Sequence, residues 1–75
     1  MPANPKPAKV PEIGKEQVLN YAREVFGDPR KTFSWLNTPN QVFHGMRPKD
    51  LLDLGESHDI DNVFNELQRI DHGLF

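Results

Sequence analysis

The sequence predicts an all-α protein, a small bundle of four to five short helices behind a Pro-rich extended N-terminal arm. Three observations predict it. Apolar residues recur at helical spacing in several windows. Asp, Pro and Gly stand where helices start and stop. No apolar/polar alternation is long enough to build a sheet, and no internal repeat is present. At 75 residues the chain fits one small domain with a thin stability margin. Residues 1–12 read as a flexible arm and residues 13–75 as the helical domain.

The arm, "MPANPKPAKVPE", holds four of the seven Pro. Each removes a backbone donor and fixes φ near −65°, so no helix runs through it. The first helix is "GKEQVLNYAREVFG". Val18, Ala22 and Val25 repeat at its core spacing, with Leu19 and Phe26 beside them. Gly14 serves as N-cap, Glu16 meets the positive end of the dipole, and Gly27 supplies the left-handed terminator.

"DPRKTFSWLN" restarts at once, with Asp28 as N-cap and Pro29 at the first helical position. Phe33 and Leu36 share a face. Trp35 lies about 160° from Phe33, since each residue advances about 100°. The helix is therefore covered on two sides, or Trp35 faces outward. "TPNQVFHGM" reads as an ordered loop with one helical turn near Asn40–Phe43. Thr38 is pushed to extended geometry by Pro39, Val42, Phe43 and Met46 turn inward, and Gly45 takes positive φ.

"RPKDLLDLG" is a short helix with Pro48 first, Leu51, Leu52 and Leu54 as its apolar set, and Gly55 as its stop. The last helix opens at an N-cap Ser57. Asp59 and Asp61 occupy its first turn, and Arg69 and His72 its last, as the dipole favours. Ile60, Val63, Phe64, Leu67 and Ile70 form its apolar stripe. Gly73 ends it.

Composition excludes much chemistry. There is no Cys, hence no disulfide, thiolate zinc site or Cys nucleophile. The absence fits a cytoplasmic protein without proving it. No apolar run approaches the roughly 20 residues of a membrane span, and no signal-peptide core is visible. The net charge of −2, without a basic cluster, speaks against direct nucleic-acid binding. His44, His58 and His72 match no metal-ligand spacing, and "SHDIDN" lacks the glycine and glutamate of a calcium loop. Asp50 and Asp53 share a helix face, which reads as a solvated acidic surface rather than a general acid–base pair. The five Gly are dispersed, so no phosphate loop exists. No catalytic, cofactor or metal residue is assigned, and the chain is not expected to be an enzyme. Apolar surface is what remains. Most of Trp35, Phe43 and Met46 belongs to the core, whereas Leu74 and Phe75 follow the terminator Gly73 and need a partner or a fold-back contact to be hidden.

"FGDPRKTFSWLNTPNQVFHGMRPKDLLDL" followed by "LQRIDHGLF" resembles the antitoxin Xre/MbcA/ParS toxin-binding domain family over roughly residues 16–75. The matching residues are Phe26, Gly27, Asp28, Trp35, Leu36, Pro39, Asn40, Gly45, Pro48, Leu51, Leu52, Arg69, Ile70, His72 and Gly73. The resemblance implies an all-helical type II antitoxin, without cofactor or enzymatic activity. Its implied partner is a toxin of the RES type, which consumes NAD or modifies with it, and the antitoxin occludes the toxin's pocket with its C-terminal part. On that basis the expected partner contacts are Arg69, His72, Leu74 and Phe75, with Arg47 as an outlying candidate.

Three departures from the family pattern stand out. The Pro-rich arm occupies the place of a DNA-binding region, so promoter binding is not expected. Arg47 precedes Pro48 where Ser or Thr is common, so another group must satisfy that helix end or Arg47 serves the interface. His44 replaces a second Gly, which narrows the loop's conformations. The chain also stops at Phe75, leaving little tail to reach into a partner. The rival expectation is a structural or regulatory homo-oligomer, such as a homodimer through the last helix, without a toxin partner.

Overall fold

Gly27 and Asp28 make the first corner of a four-helix arrangement seen in a computed structural model that describes residues 13–73. The helices are α1 (Lys15–Phe26), α2 (Pro29–Asn37), α3 (Pro48–Leu54) and α4 (Ser57–His72). A 3₁₀ turn at Gln41–Phe43 lies between α2 and α3, and no strand occurs among the described residues. The fold is all-α, as the sequence predicts.

The corners follow from local chemistry. Gly27 takes φ +67°, the left-handed conformation that costs a glycine little. Asp28 then turns extended, and its carboxylate accepts from the Arg30 amide at 2.8 Å. Pro29 begins α2, where its missing donor is no loss. Two residues thus reverse the chain and lay α2 against α1.

α1 packs against both α2 and α4, while α3 packs against α2 and α4. The core consists of Val18, Ala22, Leu36, Phe43, Leu51, Leu52, Ile60, Val63 and Leu67. Around it lie half-buried Ile13, Leu19, Tyr21, Val25, Phe26, Trp35 and Phe64. α2 is covered on two sides, as its pattern allows. Leu36 enters the core, and the Trp35 ring sits 5.6 Å from Phe26 and 6.3 Å, edge-on, from Phe43.

Four apolar residues expected inside are not there. Phe33 is 68 % exposed because Thr32 and Leu36, one turn apart, form the buried stripe of α2. The buried Thr32 hydroxyl donates to the Asp28 carbonyl at 2.9 Å, so its burial leaves no unpaired polar atom. Val42 and Met46 are 51 % and 39 % exposed, since Phe43 alone takes the inward position of the loop. Leu54 is 62 % exposed, ending α3 where no element covers it.

The start of α4 also differs from expectation. Gly55 turns left-handed at φ +75° and Glu56 is the extended cap residue, so Ser57 is already helical. The Glu56 carbonyl accepts the Ile60 amide at 2.9 Å, and no side chain caps this end.

Candidate partner-binding site

The buried stripe of α4 is Ile60, Val63 and Leu67, spaced three and four residues apart. The opposite face, with Asp61, Asn62, Asn65, Arg69 and His72, is exposed. α4 therefore has one side in the core and one side open to another molecule. Its last turn carries the cations Arg69 and His72, favoured there by the helix dipole. Gly73 closes the helix at φ +69°, its amide donating to the carbonyls of Arg69 and Ile70.

Two contacts hold that last turn in place. The Arg69 guanidinium donates from Nη1 to Glu66 Oε1 at 3.0 Å, one turn earlier. The Tyr21 hydroxyl donates to Asp71 Oδ2 at 2.9 Å, reaching from α1. The Tyr21 ring lies 5.1 Å from Phe64, so its apolar body and polar tip both bind α4. Partial burial, then the Asp71 hydrogen bond, raises the Tyr21 pKa above its ordinary value near 10.

Arg69, His72 and Gly73 thus come together at one end of α4. Arg47 does not join them. It stands before α3, and its guanidinium makes a two-pronged bond to Asp50, Nε to Oδ2 at 2.9 Å and Nη2 to Oδ1 at 2.8 Å. Those bonds raise the Arg47 pKa and lower that of Asp50. The N-terminus of α3 has no side-chain cap of the usual kind. The Asp50 carboxylate sits in its first turn instead, where the dipole favours a negative charge. Leu74 and Phe75 lie outside the described residues, as does the arm of residues 1–12.

The loop between α2 and α3 is organised by Asn40. Its side-chain oxygen accepts from the Val42 amide at 2.9 Å, and its carbonyl accepts the amides of Phe43 and Gly45, both at 2.9 Å. Its own amide donates to the Met46 carbonyl at 3.1 Å. His44 adopts φ +58° and Gly45 φ +86°, so two left-handed residues in succession close the loop. Pro39 is exposed just before it, and Pro48 is buried just after it.

Asp50 and Asp53, read from sequence as a solvated acidic face, are both paired. Asp53 accepts from Lys15 at 2.6 Å and Lys49 at 2.9 Å, tying the start of α1 to α3. Those two ammonium groups, Lys15 foremost, hold its pKa down at about 2. Sequence reasoning missed this triad and the Tyr21–Asp71 pair. Only Lys49–Asp53 had a local signal, the i,i+4 spacing. Tyr21 and Asp71 are 50 residues apart, and nothing local joins them.

Among the described residues no group of His, Asp and Glu is placed to hold a metal ion, and no helix is long and apolar enough to cross a membrane. What the geometry offers is a fixed helix end, with Arg69 bonded to Glu66, and an open face. Residues 22–73, from within α1 to the cap of α4, match the family described as the antitoxin Xre/MbcA/ParS C-terminal toxin-binding domain. No curated protein and no solved structure matches the chain.

Proposed function

The chain belongs to the family of antitoxin Xre/MbcA/ParS toxin-binding domains, and from that premise we propose that it neutralises a RES-type, NAD-consuming or ADP-ribosylating toxin by covering the toxin's active site. The observation that carries the proposal is the last turn of α4, where Arg69, Asp71, His72 and Gly73 are all exposed on a helix whose other side is fixed in the core. A rigid, presented helix end suits an inhibitor, because little ordering is required on binding.

The residues take distinct parts in this reading. Arg69 presents a planar, permanently charged fork that suits a pocket built for a charged cofactor. Its bond to Glu66 sets its direction. His72 adds a donor beside it, and Leu74 and Phe75 extend the contact beyond Gly73 with apolar area. Arg47, already committed to Asp50, contributes at most at the edge.

The test is truncation after Ile70, in cells that also express a RES-type toxin. The shortened chain keeps its helical circular dichroism and loses protection. A shortened chain that still protects the cells would show that the last turn is not the inhibitory contact.

A further inference from the structure

The last turn of one helix is a small contact. A stable complex commonly buries about 800 Å² on each partner, so a tightly held toxin needs a second surface. The exposed Phe33 marks one. Two shallow depressions of about 240 Å³ each share Leu19, Phe33 and Leu36 in their walls. One continues to Arg23, Pro29 and Thr32, and the other to Lys15, Lys49, Leu52 and Asp53. Together they form one apolar groove along α1 and α2 to the start of α3, and no residue of α4 lines it. Its walls are mostly apolar and its charges stand at the edge, an arrangement that suits the apolar side chains of a protein segment.

Charge identifies the occupant. The rim carries three cations, Lys15, Lys49 and Arg23, and one carboxylate, Asp53, already bonded to both lysines. Arg23 bonds a neutral partner, Asn20 Oδ1, at 2.8 Å. The rim is therefore net positive on a chain whose net charge is −2. We infer that this groove seats an amphipathic segment of the toxin, its apolar side chains packed around Phe33 and its flanking carboxylates facing Arg23, Lys15 and Lys49. This is recognition by an apolar face in a groove, with rim charges selecting the partner. The inference rests on the toxin-binding reading. Because α1 separates the groove from α4, the toxin then engages the domain on two sides of α1.

The test uses the product of the gene adjacent to this chain's own, with binding measured by calorimetry against the full chain, Phe33→Glu and Arg23→Glu. Both positions are exposed, so thermal melts of the variants match the parent within a few degrees. Phe33→Glu weakens binding at least tenfold. Arg23→Glu weakens it at low ionic strength and less so at high salt. A photo-crosslinking residue at position 33 links to a toxin peptide in which apolar residues alternate with Asp or Glu. If the parent binds and both variants bind equally, the inference fails while the toxin-binding reading stands. If the parent does not bind, both fail. A crosslink to residues 1–12, to a second copy of the chain, or to a toxin segment without carboxylates also overturns it.

Discussion

The Tyr21 hydroxyl and the Asp71 carboxylate, 2.9 Å apart, join the middle of α1 to the last turn of α4. The bond lies in the turn proposed to meet the toxin, so it holds that turn in position. Tyr21→Phe removes the donor and keeps the ring against Phe64. We expect a loss of about 0.5–1 kcal/mol, read as a fall of a few degrees in Tm, together with faster amide exchange in residues 69–73. Exchange that is unchanged in that turn would show that the bond does not hold it.

Acid should weaken the Lys15–Asp53–Lys49 triad. Asp53 titrates lower in the folded protein than in the unfolded chain, at about 2 against an ordinary 3.8. Its contribution is therefore complete above pH 4 and is lost as the pH falls from about 4 to 2. Thermal melts of the parent and Asp53→Asn should differ at neutral pH and converge by pH 2. A constant gap across that range would rule out the triad as its source.

His44 sits at φ +58°, a conformation that costs most L-residues about 1–2 kcal/mol and glycine almost nothing. His44→Gly should therefore stabilise the loop by up to about 1 kcal/mol, since glycine's greater unfolded freedom offsets part of the relief. Urea denaturation reads this as a higher midpoint with an unchanged slope. Gly45→Ala, at φ +86°, should act in the opposite direction.

Leu67 of α4 is fully buried in the nine-residue core, whereas Leu54 is mostly exposed. Leu67→Ala should cost about 2–5 kcal/mol, comparable to the whole stability of so small a domain, and leave the chain largely unfolded at 37 °C. Leu54→Ser should stay within about 0.5 kcal/mol. Circular dichroism melts separate the two.

Element positions were legible because their signals are local. Gly27 followed by Asp28 and Pro29 has one sensible geometry, and the spacing of Ile60, Val63 and Leu67 has one sensible face. What was not legible depends on what covers a residue. Phe33 and Leu54 lie at helical spacing from buried neighbours, yet four short helices enclose too little volume to hide every apolar side chain. The cap of α4 moved from Ser57 to Glu56 because the left-handed Gly55 uses up the turn one residue earlier. Of the candidate site, the cluster at the end of α4 was visible through its dipole-matched cations and its resemblance to the family. The groove around Phe33 and the Tyr21–Asp71 bond were not, since both arise from segments far apart along the chain.

The pairing of α1 with α4 fixes when this protein becomes competent. A ribosome delivers α1 first and α4 last, and the core that holds Val18 and Ala22 stays incomplete until Ile60, Val63 and Leu67 arrive. Nascent chains bearing only the first three helices stay open to proteases and chaperones. The complete fold therefore appears in one step after synthesis has passed α4, and a transcript cut short anywhere before it yields no chain able to present the proposed contact.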